Sequence, residues 1–403
     1  MGNKKNVPRL RFPGFTDPWE QRKFSELYAK SSEKNDGSIG MDRNITVATM
    51  QFKDDVKVST AEYLKTYYTF NLGDIAFEGH QSKEFRFGRF VENDIGNGIV
   101  SHIFTVFRPI TEFDLQFWKY AINNEMLMQQ ILSRSTKAST MMHDLVTDDF
   151  LNETFLVPSL DEQKQIGACL YSLDNLITLH QRQLDNLNEF KKCCLQKMFP
   201  RNGKTMPEVR FPGFTDPWEQ RKLSDEFSDF IVPMRDKPKE FGGNIPWTRI
   251  EDIEGKYLNG TLSDQYVTEE TVKKMNLKII PKDSLIVSSS ATFGVVAVVT
   301  RDLITNQTFI GLVPNEKETL DYWYAYFYSD EARKYMKLQS AGSTIFYISR
   351  ESFENMPIAV PSKAEMMKIG ACFDNLDNLI TLHQSKLDQL KELKKGLLQQ
   401  MFV

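Results

Sequence analysis

The chain has 403 residues, 41% of them hydrophobic and 26% charged, with 50 Lys and Arg against 54 Asp and Glu. This composition excludes disordered, collagen-like and disulfide-scaffold classes, and the length allows two or three packed domains. The net charge of -4 excludes an indiscriminate polyanion binder, because non-specific nucleic-acid affinity comes mainly from an excess of Lys and Arg.

Cellular location is indicated by features that the sequence lacks. The first ten residues contain no apolar stretch of the kind that a secretory signal needs, and no apolar run reaches the roughly 18 residues of a membrane helix. The four Cys form no Cys-x-x-Cys pair. We therefore expect a cytoplasmic protein of a reducing compartment without membrane contact.

An internal repeat organises the chain. RFPGFTDPWEQRK occurs at residues 11–23 and again at 210–222, thirteen identical residues 199 positions apart. A longer pair, residues 166–199 and 369–402, is identical at 23 of 34 positions with an offset of 203. Each half thus has a short block, a variable interior and a long block. The short and long blocks, which together frame each interior, are alike in the two halves, whereas the interiors differ. This pattern favours frames that contact one common partner and interiors that contact different partners.

The first domain is predicted to span residues 1–158 and to mix α and β structure. Short strands are expected near residues 74–78, 85–91 and 98–107, followed by one helix over about 113–132. Arg and Lys can read guanine and Gln can read adenine, while hydroxyl groups suit bases or phosphates. The candidate DNA-contact residues of this domain are His80, Gln81, Ser82, Lys83, Arg86, Arg89, Arg134, Lys137, Ser139 and Thr140.

Residues 159–200 are predicted to form a long helix. Ser159 and Glu162 have the spacing of a capping box, and Pro200 marks the end. Apolar residues then recur at alternating steps of four and three, which is typical of a coiled-coil seam. The predicted seam positions are Ile166, Leu170, Leu173, Ile177, Leu184 and Leu187.

The second half repeats this organisation, with a domain over residues 201–361 and a helix over 362–403. Strands are expected near residues 279–287, 295–299 and 308–313, followed by one helix over about 320–338. The candidate contact residues here are Ser288, Ser289, Ser290, Thr292, Asn306, Gln307, Ser343, Thr344, Tyr347 and Arg350. The second seam consists of Ile369, Phe373, Leu376, Ile380, Leu387 and Leu390.

The order of strands before a helix in each interior favours an α+β fold. Two tandem domains are predicted to be separated by the two long helices, which form an antiparallel coiled coil with pseudo-twofold symmetry. His180 and His383 fall at seam positions, where a polar residue can fix the register of the helices. Further apolar residues widen each helix stripe, so either a partner helix or the neighbouring domains can cover that face.

The sequence contains none of the motifs of common catalytic or cofactor sites. There is no phosphate-binding loop, no dinucleotide fingerprint, no nucleophile elbow and no zinc-type cluster of Cys and His. No Asn-Pro-Pro-aromatic motif for amino methylation is present either. We therefore predict a non-catalytic protein that holds no metal or cofactor of its own.

Several segments together resemble type I restriction-modification specificity subunits, the HsdS family, over essentially the whole chain. They are the two RFPGFTDPWEQRK blocks, IPWTRIEDI from Ile245, NQTF from Asn306, AGSTIFYISRESFENMPIAVPS from Ala341 and the two LDNLITLHQ helices. The resemblance implies that each domain is a target recognition domain for one half of an asymmetric, bipartite double-stranded DNA sequence. It further implies that the helices set the gap and that two methyltransferase subunits dock on the repeated regions.

In the family, catalysis belongs to the partners. The resemblance implies that the methyltransferase subunits use S-adenosylmethionine, and that an endonuclease and translocase subunit using ATP and Mg joins larger assemblies. The alternative that the residues leave open is a non-catalytic coiled-coil scaffold binding two different protein ligands. A sequence-dependent DNA complex that is sensitive to salt distinguishes the two hypotheses.

Overall fold

Two compact units make up the chain in the computed structural model, which describes residues 6–53, 60–139, 142–234, 237–289, 294–340 and 347–403. The first unit comprises residues 1–181 with 385–403, and the second comprises residues 182–384. Both units mix helices and strands, which confirms the predicted α+β class. Among the described residues, no helix has both the length and the apolar character that crossing a membrane requires.

The first unit is built on a four-stranded antiparallel sheet in the order β2-β9-β6-β7. Two-stranded sheets join β1 to β12, β3 to β4, β5 to β8 and β10 to β11. The elements are β1 Glu20–Lys23, α1 Phe24–Leu27, β2 Tyr28–Ser31, β3 Ile45–Thr46, β4 Gln51–Phe52, α2 Ala61–Leu64, β5 Tyr68–Phe70, β6 Ile75–Glu78, β7 Arg89–Glu92, β8 Gly98–Val100, β9 Thr105–Pro109, α3 Leu115–Ile122, α4 Glu125–Ser135, β10 Thr136–Ala138, β11 His143–Leu145, α5 Thr147–Asn152, β12 Thr154–Val157 and the start of α6 Leu160–Lys197.

The second unit has a larger sheet in the order β14-β21-β18-β19-β16, in which only β16 and β19 run parallel. A three-stranded sheet, β17-β15-β20, and a two-stranded sheet, β13-β22, complete it. The elements are β13 Glu219–Lys222, β14 Phe227–Ile231, β15 Ile245–Thr248, β16 Tyr257–Leu258, β17 Tyr266–Val267, α7 Glu269–Met275, β18 Ser284–Ser288, β19 Val296–Val299, β20 Ile304–Thr305, β21 Phe309–Pro314, α8 Leu320–Tyr328, α9 Asp330–Gln339, α10 Arg350–Glu354, β22 Pro357–Val360 and the start of α11 Lys363–Gln400.

The single helix predicted in each interior is wrong, because the structure has two shorter helices there. In the first unit Asn124 separates α3 from α4, and its side chain accepts the N–H of Met126. In the second unit Ser329 lies between α8 and α9 in an extended conformation and accepts the N–H of Ala332. Both residues are good N-caps, and a new cap within an apolar run starts a second helix in a new direction.

The same junction closes each interior. We call residues 11–23 the first lead-in and residues 210–222 the second lead-in. Their ends form β1 and β13, which pair antiparallel with β12 and β22. The next N–H donates across the junction, from Phe24 to the Glu153 carbonyl at 3.0 Å and from Leu223 to the Met356 carbonyl at 2.9 Å. The two ends of each interior are therefore held together by one backbone hydrogen bond.

A buried ion pair ties each lead-in to the first turn of a long helix. Arg11 donates two hydrogen bonds to Glu162 at 2.6 and 2.8 Å, and Arg210 donates two to Glu365 at 2.6 and 2.7 Å. The predicted capping boxes are thus only half formed. The Ser159 hydroxyl accepts the Glu162 N–H at 3.4 Å, but the Glu162 carboxylate binds Arg11 instead of returning to Ser159.

The end of a long helix packs on each lead-in. In the first unit the Phe402 ring stacks on Phe117 at 5.5 Å and meets Trp19 edge-on at 6.3 Å. In the second unit Phe199 meets Trp218 edge-on at 6.5 Å. The backbone repeats the match, because Leu10 N–H donates to the Gln400 carbonyl and Val209 N–H donates to the Lys197 carbonyl, both at 2.9 Å.

Within each unit the two long-helix segments run antiparallel, because the end of one segment packs with the start of the other. Phe402 shares a core cluster with Ile166 in the first unit, and Phe199 shares one with Ile369 in the second. In the first unit Lys394 pairs with Asp174 at 2.6 Å, and in the second the corresponding Lys191 pairs with Asp377. All predicted seam residues are buried or half-buried. Among the side chains that widen the stripe, Leu195 and Leu398 are half-buried against the cores. The others are exposed: Leu176, Leu179, Phe190, Leu379, Leu382 and Leu393. A continuous coiled coil through both units stays a prediction.

Glu92, at the end of β7, is a buried ionisable side chain in the first unit. Its side chain is 3% exposed, and within the described residues neither carboxylate oxygen has a hydrogen-bond partner. Burial, reinforced by the negative charge of Asp94, raises the pKa of Glu92 well above its usual range. In the second unit β19 places the apolar Val298 opposite Leu285, just as β7 places Glu92 opposite Ile75.

We expect Glu92→Leu to stabilise the chain, increasingly so at higher pH. A raised folded-state pKa means that stability is lost as pH rises from the unfolded value of ~4.3 towards the folded pKa. Leucine carries no charge to desolvate, so the gain should be small near pH 4 and about 1 to 3 kcal/mol at pH 8. Urea denaturation at both pH values measures it. Val298→Leu is the matched control, and its effect on the free energy of unfolding should be the same at both pH values. A stabilisation by Glu92→Leu that does not change with pH would contradict this account of Glu92.

Candidate nucleic-acid interface

In the first unit a loop and a hairpin that are distant in sequence lie side by side. The loop, residues 79–88, joins β6 to β7, and the hairpin is β10 with β11. His143 N–H donates to the Gly79 carbonyl at 2.8 Å, which fixes the two backbones together. A Cβ on Gly79 would lie 2.1 Å from the His143 carbonyl oxygen, so only glycine permits this approach. The structure thereby brings together the two candidate clusters predicted in this domain.

Gln81 is positioned by a residue that the sequence did not single out. Its amide nitrogen lies 3.1 Å from Nδ1 and 3.5 Å from Nε2 of His143. Such similar distances place the nitrogen over the imidazole face rather than along one lone pair. The Phe87 ring packs nearly perpendicular to the same ring, with the ring centroids 5.5 Å apart. His143 is buried, and no sequence signal links it to a residue 62 positions away.

The basic candidates of the first unit divide into engaged and available side chains. Arg89 donates to Glu78 and to the Ala48 carbonyl, both at 2.8 Å, and Arg134 donates to Glu153 at 2.7 Å. Both therefore support the fold. The side chains of His80, Lys83 and Lys137 are exposed, and the described residues offer them no ion pair. Arg86 is also exposed, with its guanidinium 5.5 Å from the Phe87 ring centroid.

Small polar groups shape the rest of this loop. The Ser82 hydroxyl accepts the N–H of Phe85 at 2.9 Å and of Glu84 at 3.2 Å, so it stabilises a tight turn. Arg86 N–H donates to Glu125 at 3.4 Å, and burial raises the pKa of that carboxyl. The exposed Ser139 closes the hairpin, with its N–H bonded to the Met142 carbonyl at 2.8 Å.

The second unit holds its candidates at the corresponding place. Ser289 directly follows β18, as Gly79 directly follows β6, and its carbonyl accepts the N–H of Ile348 at 2.9 Å. Ser289 N–H in turn donates to the Thr308 carbonyl at 2.8 Å. Asn306 accepts the N–H of Thr308 at 3.2 Å and so orders the turn before β21. Three separate segments meet here.

Exposure separates the candidates of the second unit. Ser288 and Ser289 are buried, whereas Gln307 is exposed and Tyr347 is 43% exposed. Arg350 pairs with Glu354 at 2.7 Å. Five predicted residues lie outside the described residues: Thr140, Ser290, Thr292, Ser343 and Thr344. Among the described candidates of this unit, the exposed Gln307 and Tyr347 are polar and uncharged.

Metal binding finds no support in the part of the chain that the structure describes. No group of three His, Cys, Asp or Glu side chains is placed to hold an ion. All four Cys are free thiols, and burial raises the pKa of Cys194 to about 11, which lowers its reactivity. The site consists of hydrogen-bonding and basic groups on loops at one equivalent position of each unit. Such a surface can bind and discriminate a polar ligand.

Comparison with known proteins identifies the family. A model of the type I restriction modification DNA specificity domain matches residues 17–189 and again residues 216–392. The chain therefore belongs to this family. Each match covers most of one half of the internal repeat.

Individual relatives agree with this assignment. The MjaIX specificity subunit of a type I restriction enzyme from Methanocaldococcus jannaschii is 28% identical over 46% of this chain, and the match spans only 44% of that relative's length. A type I restriction-modification S subunit from M. genitalium has the same fold, with a TM-score of 0.58, 15% identity and coverage of 98% of this chain and 99% of that one. The HsdS subunit from Thermoanaerobacter tengcongensis gives a TM-score of 0.50 at 17% identity and covers 97% of each chain.

Proposed function

We propose that this chain is the DNA-recognition subunit of a type I restriction-modification complex. Each unit reads one half of an asymmetric, interrupted target in double-stranded DNA. The two long helices set the unread gap and dock two methyltransferase subunits. The chain itself is non-catalytic, and methyl transfer from S-adenosylmethionine belongs to those partners, as does any later work of an ATP- and Mg-dependent endonuclease.

The observation that carries this proposal is that the lead-ins, junctions and long helices match in the two units, whereas the candidate DNA-contact surfaces differ. The junctions at Phe24 and Leu223 are closed by the same backbone hydrogen bond, within 0.1 Å (3.0 against 2.9 Å). The described candidate side chains of the two units differ in chemistry. The loop after β6 presents Gln81, Lys83 and Arg86, whereas the second unit presents Gln307, between β20 and β21, and Tyr347, next to the residue that bonds to Ser289. Unlike side chains discriminate unlike base edges, so two unlike half-sites follow.

Docking of two copies of one partner is supported by surface residues that are the same in both halves. The exposed Leu176 and Leu179 on α6 recur as Leu379 and Leu382 on α11. Exposed leucines at helical spacing offer an apolar stripe to a partner helix. The remaining phosphate neutralisation can come from the partners, which reconciles DNA binding with a net charge of -4.

Mapping methylated adenines tests the proposal. Cells or reactions that contain the methyltransferase with this chain should modify adenines in a split sequence whose two halves differ, and without this chain they should not. The matched control is the same methyltransferase with a specificity subunit of another target. Methylation of a continuous palindrome, or methylation unchanged by removal of this chain, would refute the proposal.

A further inference from the structure

The two lead-ins have kept an identical surface that folding alone does not require. The long blocks differ at 11 of 34 positions, and nine of those 11 positions are exposed in the first copy, so surface residues have changed freely there. Just before the lead-ins the exposed Arg9 corresponds to the exposed Glu208. Inside the lead-ins all thirteen positions are identical, although eight of them are exposed in both copies.

The fold accounts for part of this identity. Arg11 forms the buried pair with Glu162, Trp19 is buried, and Gly14 has a φ of +99° that disfavours other residues. Lys23 reaches Asn152, as Lys222 reaches Asn355 in the second unit. Gln21 likewise donates to Thr154 at 2.9 Å. Within the described residues the side chains of Thr16 and Asp17, with their counterparts Thr215 and Asp216, have no hydrogen bond or ion pair.

Each lead-in lines a cavity at the same place in its unit. The cavity measures about 670 Å³ in the first unit and about 410 Å³ in the second. Both are lined by the lead-in and by the Val-Pro-Ser segment before the long helix, residues 157–159 and 360–362. At both, Nη1 of the lead-in arginine, Arg11 or Arg210, is buried and has no acceptor among the described residues.

Charge decides which kind of molecule fits. Asp17, Glu20 and Glu112 line the first cavity, and none forms an ion pair within the described part of the chain. Its two arginines are engaged, Arg11 with Glu162 and Arg22 with Glu26. In the second cavity Glu219, Glu226 and Glu316 are paired with Arg221 and Lys363, so Asp216 is the lining carboxylate that has no ion pair within the described residues. An unpaired carboxylate repels the phosphates of DNA and attracts Lys or Arg. An unsatisfied arginine N–H needs an acceptor such as a peptide carbonyl. A basic polypeptide segment supplies both groups.

We propose that each cavity receives a basic segment of the partner methyltransferase. A Lys or Arg of that segment lies against Asp17 in the first unit and against Asp216 in the second, and a main-chain carbonyl accepts from the lead-in arginine. One partner surface is thereby used twice, which explains why both lead-ins stay identical on the outside. The inference rests on the proposed function, because it takes the two bound methyltransferase copies as given.

Native mass spectrometry of the full chain with its methyltransferase subunit tests the inference. The wild-type chain should bind two copies. Asp216→Lys should weaken binding of one copy by at least about tenfold and leave a complex with one methyltransferase, because it places a cation against the incoming basic residue. Asp17→Lys should remove the other copy, and the double variant should bind neither tightly. Asp216→Asn removes the negative charge without placing a new cation near Arg210. It should weaken binding of the same methyltransferase copy, but by less than Asp216→Lys does.

Glu208→Arg is the matched control, since it reverses an exposed charge two residues before Arg210, does not line the cavity, and installs the residue that the first half has at this position. It should bind two copies with wild-type affinity. Unchanged binding of two copies by the Asp216→Lys chain, with an unchanged unfolding midpoint, would overturn the inference and leave the proposed function standing. A wild-type chain that binds fewer than two copies would overturn the proposed stoichiometry itself.

Discussion

A chimera in which residues 24–153 replace residues 223–356 should recognise two copies of the first half-site instead of two unlike half-sites. Each interior starts and ends at one hydrogen-bonded backbone pair, Phe24 with Glu153 and Leu223 with Met356. Each interior also packs an aromatic-rich helix, α3 or α8, against the long helix of its unit, at a glycine that permits close contact. A Cβ on Gly167 or Gly370 would lie 2.7 or 2.8 Å from a backbone nitrogen of that helix. The inserted interior therefore meets an equivalent junction and an equivalent packing surface on the long helix.

Methylation mapping of the chimera gives the result directly, since the modified sequence should become a split palindrome with the original gap. The reciprocal chimera, with residues 223–356 in both positions, is the matched control and should give two copies of the second half-site. The loss of the original target should be complete, because no side chain of the replaced interior remains. A chimera that folds and still methylates the original asymmetric sequence would show that the interiors do not read the half-sites.

Arg210→Met should destabilise the second unit by about 3 to 5 kcal/mol, the cost of leaving a buried carboxylate without its partner. The Glu365 side chain is 0% exposed and accepts two hydrogen bonds from Arg210. Arg11→Met in the first unit should cost less. There Trp19 Nε1 still donates to Glu162 at 3.2 Å, whereas within the described residues Trp218 Nε1 has no partner.

Urea denaturation followed by hydrogen exchange assigns each loss to its unit, since a chain of two units need not unfold in one step. Arg221→Met is the control. Its ion pairs with Glu219 and Glu226 involve a side chain that is 42% exposed, so we expect a loss below about 1 kcal/mol. Equal effects of Arg210→Met and Arg221→Met would mean that the buried pair contributes no more than a surface pair.

The frame of the fold could be predicted from sequence because its signals are local and occur twice. The seam of steps four and three and the Ser159 cap predicted residues 159–200 as a helix, and α6 spans Leu160–Lys197. The break in each interior helix was missed, because the apolar pattern continues across Asn124 and Ser329 while their caps redirect the chain. The role of Glu162 was also missed, since its partner Arg11 is 151 residues away.

The candidate site was harder to predict for the same physical reason. Loop composition indicated which segments carry polar groups, and the structure places the segments around Gln81 and Ser139 together. Sequence could not separate an available side chain from an engaged one. Lys83 and Arg89 look alike in a list of basic residues, yet Arg89 is paired with Glu78. Whether a basic group is available depends on tertiary neighbours, which no local pattern contains.

The bond between Leu10 and Gln400 has a topological consequence. It reproduces the bond between Val209 and Lys197, where a short connecting segment, residues 198–208, joins the helix end to the lead-in. In the first unit the same arrangement of helix end, aromatic ring and lead-in forms with no peptide link between them. The order of elements is therefore circular, and the contacts between helix end and lead-in form without a peptide link to hold them.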